Sequence, residues 1–229
     1  MAAGNEGKPS IVLVHGVWSD GSSWSQVIPL LGHAGYKVSA AQLPLTSFAE
    51  DVAATKRWID HQDGPVLLVG HSYGGAVISE AGNSHKVKKL VYIAAFAPQP
   101  DQKFGSIISA NPPEDMKPDE NGFVWATADQ FHGAIAHDLH RGVANLAVAV
   151  QKPFAMKVFD ASIAKPAWKS KPSWYLVTTE DRILNPETQR EMARQIGAQA
   201  RETPSSHLAL LSKPQAVADI ILEAADAGS

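Results

Sequence analysis

At 229 residues the chain is long enough for one domain with a sizeable core and does not require two. A hydrophobic share of 45%, a charged share of 19% and a formal charge of -3 are those of a globular enzyme and give no electrostatic reason to expect nucleic acid or an anionic membrane as partner. The absence of cysteine excludes a disulfide framework, a thiol nucleophile and a cysteine-based metal site, and no apolar run approaches the roughly 20 residues that span a bilayer.

Residues 1–10 lack the apolar stretch of a secretion signal, so a cytoplasmic location is expected. Ser10-Ile11-Val12-Leu13-Val14 is a continuous apolar run, the pattern of a strand buried on both faces. It ends in His15-Gly16-Val17-Trp18 and the polar turn Ser19-Asp20-Gly21-Ser22. Trp24, Val27, Ile28 and Leu31 then recur at helical spacing, with a stop between Gly32 and Gly35. A short strand is expected at 36–40. Ser47 and Glu50 form a capping-box pair opening a helix whose apolar stripe is Phe48, Val52 and Ile59. A second buried-type strand, 66–69, runs through Gly70-His71-Ser72-Tyr73-Gly74-Gly75 into a helical pattern at 76–81, and 89–94 is a further strand. This β-α-β-α-β-α-β order calls for a parallel sheet with helices on both faces.

Over 98–172 the pattern changes: prolines become frequent and clear strand runs are absent. Residues 111–115 and 117–122 read as loop, and helices are expected near 127–139 and 143–150. An insertion this long between two sheet strands exceeds an ordinary connection and reads as a helical cap or lid. The expected division is therefore a core of 1–97 and 173–229 with a cap of 98–172. The sheet resumes at 173–178. Asn185-Pro186 open a helix reaching about Ile196, a short strand at 198–202 precedes Ser205-Ser206-His207, and Ser212 with Gln215 caps a last helix whose Val217, Ile220, Ile221 and Ala224 face inward. The count is six strands, mostly parallel, with the cap inserted before the penultimate one.

The segment 66–81 compresses a strand, a sharp turn and a helix around Ser72. At such an apex a serine adopts a strained backbone and points its hydroxyl outward, and the flanking Gly70 and Gly74 lie too close together to carry a Cβ. That is the pattern of a nucleophile elbow. Serine needs a base within hydrogen-bond reach, itself oriented by a third group. Thr178-Thr179-Glu180-Asp181 ends one strand and His207 follows the last, each just before a helix. Asp181 is taken as the acid, with the adjacent Glu180 as the alternative that only geometry can separate. Oxyanion donors are expected from the backbone N–H groups of Tyr73, after the nucleophile, and Val17, in the loop after the first strand.

Trp18 is expected to line the pocket, a core position being the competing reading. Trp125, Phe131 and Phe154 could line it from the cap or pack the cap on the sheet. His132, His137 and His140 stand near Asp138, but only His137 and His140 would share a helix face, so a solvated cluster and no metal is expected. Lys165, Lys169 and Lys171 read as a solvated face. The glycines at 70–75 are spaced for an elbow and not for phosphate binding, since no lysine follows in the P-loop position.

His15-Gly16, Gly70-His71-Ser72-Tyr73-Gly74-Gly75, Thr179-Glu180-Asp181 and Ser206-His207 together resemble a bacterial α/β-hydrolase, similar to plant methyl-salicylate esterases and hydroxynitrile lyases. The resemblance covers about two-thirds of the chain. It implies an α/β-hydrolase fold with a six-stranded core and helical cap, a triad of Ser72, Asp181 and His207, a small-molecule ester as substrate, and no cofactor. The cap carries no motif that aligns, so the substrate's identity is not implied, and a homodimer stays open. Two other functions are compatible with this scaffold: a lyase cleaving a carbon–carbon or carbon–cyanide bond, and a non-catalytic small-molecule receptor. The resemblance counts against the cyanide-releasing lyases, which carry a lysine directly after the histidine and a threonine where this chain has Gly16; here Leu208 follows His207.

Overall fold

The computed structural model describes residues 8–108 and 117–228, so the loop expected at 111–115 lies outside the described residues. The continuous apolar runs become adjacent parallel strands: β1 (Ser10–Val14), β2 (Val38–Ala41), β3 (Val66–His71) and β4 (Val87–Ile93). Two later strands extend the sheet, β7 (Ser173–Thr178) and β8 (Gln199–Thr203), in the order β2-β1-β3-β4-β7-β8. Every pairing in this sheet is parallel, with Val12 opposite Leu68 and Tyr92 opposite Tyr175 in the centre.

Because side chains alternate across a strand, each strand feeds two separate cores. Ile11, Leu13, Leu67, Val69, Val91 and Ile93 pack against α1 (Val27–His33) and α8 (Pro214–Asp226). Val12, Val14, Leu68, Leu90 and Tyr92 face the opposite layer, formed by α2 (Phe48–Asp60), α3 (Gly74–Ala81) and α6 (Pro186–Gln195). Asn185 caps α6 by accepting from the Glu187 amide at 2.8 Å. Val217, Ile220, Ile221 and Ala224 are buried as the helical period requires.

Start signals fail at α8. Pro214 opens the helix behind Lys213, which supplies no side-chain cap. Ser212 closes the short α7 (Ala209–Ser212) and shares a 2.8 Å hydroxyl contact with Ser205, while Gln215 donates forward to Asp219 at 2.8 Å. Lys171 also departs from a simple solvated face, since its ammonium donates to the Val87 carbonyl at 2.7 Å.

Among the described residues between β4 and β7, the helix expected near 143–150 forms at 141–149, the one expected near 127–139 is shorter, and two short strands join them. A two-stranded antiparallel ribbon of β5 (Phe123–Val124) and β6 (Phe154–Ala155) brackets α4 (Ala128–Gln130), a π-helical turn at Phe131–Ile135, and α5 (Arg141–Ala149). Two-residue strands carry no readable periodicity. The stretch expected to be helical to Leu139 ends at Ile135, so His137 and His140 share no helix face.

Candidate active site

The carboxyl ends of β1, β3, β7 and β8 meet at one rim of the sheet, and each delivers one part of the site. Ser72 follows β3 with φ of 54°, in the left-handed region that a non-glycine residue rarely adopts, and is 6% exposed. Such strain persists only where the surroundings enforce it. A Cβ on Gly70 would sit 2.6 Å from the Gly74 carbonyl oxygen, as the elbow spacing implies. Gly74 has a different reason to be glycine: its Cβ would meet the carbonyl oxygens of Val14 and His15 at 2.6 and 2.7 Å. A Cβ on Gly75 would come closer still, 2.3 Å from the Phe96 carbonyl oxygen.

His207, in the loop after β8, places Nε2 2.8 Å from Ser72 Oγ and Nδ1 2.7 Å from Asp181 Oδ2. The Asp181 carboxylate accepts only, so Nδ1 carries the proton and Nε2 offers its lone pair to the serine hydroxyl. Asp181 Oδ1 accepts from the amides of Ile183 (2.8 Å) and Leu184 (2.9 Å), while Oδ2 also accepts from the Thr178 hydroxyl and the Gln189 amide, each at 2.9 Å. Burial pushes this carboxyl upward, but the His207 charge and hydrogen bond and the two amides outweigh it and hold Asp181 below its ordinary value. Glu180 is exposed, and its backbone carbonyl accepts from His137 Nε2 at 2.9 Å. Geometry thus separates the two acids.

Gly16 lies directly over the serine: a Cβ there would come 2.7 Å from Ser72 Cβ and 3.2 Å from Oγ. Close approach, and not a special backbone angle, is the reason for that glycine. The Val17 and Tyr73 amides enter no turn or loop hydrogen bond among the described residues.

Three buried groups around the site escaped the sequence reading. His71 donates from Nε2 to the His207 carbonyl at 2.9 Å, its ring 4.9 Å from that of His207. Burial, reinforced by the neighbouring His207, lowers its pKa to about 3, so the ring stays neutral. His15 accepts from the Leu43 amide at 3.0 Å and contacts the Gly16 carbonyl at 2.8 Å, and burial lowers it to about 4. Asp51 accepts from the Tyr73 hydroxyl and the Leu45 amide, each at 2.8 Å, and burial lifts its carboxyl to about 6 against those hydrogen bonds. Asp51 left a trace in the sequence, an acid four residues before Thr55 on the face of α2 that also buries Val52. His15 and His71 stand within the motifs that carry the family resemblance, but nothing local marks which histidine a distant loop will cover.

Trp18 occupies a core position at the edge of the cap. It is 6% exposed, donates to the Val124 carbonyl at 3.2 Å and stands edge-on to Phe154 at 5.2 Å, while also bordering an open groove. Phe131 and Phe154 are buried in the same cluster as Val12, Leu68 and Tyr92 of the sheet. Trp125 is 53% exposed and donates to Asp119 at 3.1 Å, which fixes its polar edge on a cap loop. The histidine cluster is dispersed: His132 contacts Asn145, His140 accepts from the Gly142 amide at the start of α5, and Asp138 accepts from the Ser206 amide at 3.0 Å. Among the described residues no group of three or more His, Asp or Glu is placed to hold a metal ion. Nor is any helix among them long and apolar enough to cross a membrane.

A model of the α/β hydrolase family matches residues 11–220. Salicylic acid-binding protein 2 from Nicotiana tabacum is 30% identical, the match covering 96% of this chain and 98% of the tobacco protein. Methylesterase 8 from Arabidopsis thaliana is 26% identical, over 96% of this chain and 90% of the plant protein. The crystal structure of polyneuridine aldehyde esterase superposes with a TM-score of 0.84 at 22% identity, covering 96% of this chain and all of that one, a likeness of fold.

Proposed function

The chain belongs to the α/β hydrolase family, and we propose that it is a serine esterase cleaving small carboxylic esters through an acyl-enzyme. The observation that carries this is the continuous relay from Ser72 Oγ to His207 at 2.8 Å and from His207 to Asp181 at 2.7 Å. Kinship with proteins named methylesterases points to the same bond.

In this reading Ser72 Oγ attacks the ester carbonyl as its proton passes to His207 Nε2. The carbonyl oxygen becomes an anion held by the Val17 and Tyr73 N–H groups, whose donors are set before the reaction begins. Collapse expels the alkoxide, which takes the proton from His207. Water then enters and adds to the acyl carbon as its proton passes to the same nitrogen; collapse breaks the bond to Ser72 Oγ, which takes that proton back, and the acid is freed. Asp181 holds the imidazole in the tautomer this requires and favours the imidazolium that forms transiently. His71 stays neutral beside it, so no second positive charge opposes that step. Residues 98–172 serve as a lid, tied to the loops that carry acid and base through His137 to the Glu180 carbonyl, Arg182 to the Gly133 carbonyl, and Ser206 to Asp138.

A cyanide-releasing lyase is disfavoured on this scaffold. Leu208, apolar and 3% exposed, follows His207 where a cation is needed, and the Ser72 contact leaves no room at Gly16 for a hydroxyl-bearing side chain. The test is a Ser72→Ala protein, assayed on short aryl esters and mandelonitrile beside wild type, with fluorophosphonate labelling of both. We expect ester turnover to fall about 10⁴-fold or more and labelling to vanish. Retention of more than a few per cent of activity, or cyanohydrin cleavage without ester turnover, would overturn the reading.

A further inference from the structure

The structure has an open groove of about 730 Å³ beside the elbow rim. One wall is α5, whose Val143, Leu146 and Val150 lie at helical spacing and are 42%, 63% and 46% exposed. Large apolar side chains are this exposed at only one other place among the described residues, Trp125. A helix normally turns such a stripe inward, and a contiguous exposed one marks a surface that something apolar covers. The lining is completed by Trp18, by the hydroxyl-bearing Ser19, Ser22, Ser23 and Ser25 that follow it, and by Leu208. The one charged residue along the groove, Asp20, has its carboxylate on the amide and hydroxyl of Ser22 at 2.7 and 2.6 Å.

The position of this lining is informative. Trp18 follows Val17, the residue assigned to the oxyanion, and Leu208 follows His207, the residue assigned to proton transfer. The leaving oxygen of an ester must sit within hydrogen-bond reach of the imidazole that protonates it. The part of the substrate attached to that oxygen is therefore the part led past Leu208. A methyl group would leave a groove of this size empty, since ligand sites of several hundred Å³ bury drug-sized molecules.

We propose that the groove binds the alcohol portion of the substrate, and that the enzyme prefers esters of extended apolar alcohols to methyl esters; this rests on the esterase reading above. Each methylene that the groove removes from water adds up to about fourfold to kcat/KM. Along methyl, butyl and octyl acetate, with acetate release followed at constant pH, kcat/KM should rise at least tenfold from methyl to octyl. Leu146→Asp should lower the octyl-to-methyl ratio about tenfold, and Val143→Asp should do so independently.

A flat or falling series, or a ratio that neither variant moves, overturns the proposal. If instead the variants change selectivity along methyl acetate, butanoate and octanoate, the groove belongs to the acyl side and the assignment is wrong. A shift from dimer to monomer in the variants with the ratio unchanged makes the groove a self-interface, which is equally contrary. If wild type hydrolyses no ester, the esterase reading fails by itself, and the groove is judged by calorimetry of octyl acetate binding to the Ser72→Ala protein. Weakening by Leu146→Asp there upholds the groove, and no binding or equal binding overturns it.

Discussion

Around Ser72, backbone presses on backbone: an added Cβ at Gly70, Gly74 or Gly75 would come within 2.6, 2.6 or 2.3 Å of a main-chain oxygen, and one at Gly16 within 2.7 Å of Ser72 Cβ. In the cap, Gly122 and Gly133 have nothing within 4 Å of the same position. The cap is held mainly through side chains, by the edge-on contacts of Trp18 with Phe154 and of Tyr73 with Phe159 and by single hydrogen bonds that involve the side chains of His137, Arg182 and Asp138, beside a backbone bond from the Ala155 amide to the Leu45 carbonyl. Backbone contact leaves few compatible residues, whereas side-chain contact can be exchanged one residue at a time. A rim built in the first way holds reacting atoms in place, and a cover built in the second can change what is admitted without disturbing them.

The contrast is broken most sharply at the acid. Asp181→Asn should lower kcat on a short ester by about 10³–10⁴, because an amide presents the wrong partner to His207 Nδ1–H, while Glu180→Gln, on the cap side of the same turn, should cost less than tenfold. Reversed results would move the acid to Glu180.

Next in size is a pair of glycine substitutions. Gly75→Ala must displace the Phe96 backbone and should cost about 3 kcal/mol or more, lowering the melting temperature by roughly 6–12 °C in a protein of this size. Gly133→Ala meets open space and should shift it by only a few degrees in either direction. Equal effects would mean that the rim is no tighter than the cap.

Acid sensitivity should also belong to the rim. His15 and His71 have folded pKa values lowered to about 4 and about 3, against about 6.5 for an unfolded histidine. Between those values the unfolded chain binds protons that the folded chain does not, so stability is full above pH about 6.5 and declines as the pH falls. At pH 5 the loss should be on the order of 2 kcal/mol for each ring, offset in part by Asp51, whose carboxyl, raised to about 6, takes up a proton in the folded chain over the same range; the net is read as a fall in the denaturation midpoint between pH 7.5 and pH 5. A midpoint that stays constant over that range would contradict neutral burial of both rings.

The smallest contrast is dynamic and bears on the lid. Amides of α5, which buries only Ala144, should exchange about tenfold or more faster than those of β1 and β3. Uniform protection would make the cap a rigid roof, with substrate entering along the groove and not by lid opening.

Local pattern by itself determined a good deal. The runs at Ser10–Val14 and Val66–His71 are apolar on both faces, and only strands covered by helices on both sides have that need, so the parallel sheet was legible. The glycines flanking Ser72 announced the turn, and the order of Ser72, Asp181 and His207 at strand ends announced which residues could meet. Tertiary structure decided whatever depends on contacts between distant segments. It separated Asp181 from Glu180 through the reach of His207, and gave Gly16 its reason in the serine beneath it. It also enclosed His15, His71 and Asp51 as buried polar partners and left the apolar stripe of α5 uncovered. Periodicity reports which face of a segment avoids water, but not which distant atom comes to lie against it; that follows only once the sheet has brought its strand ends to one rim.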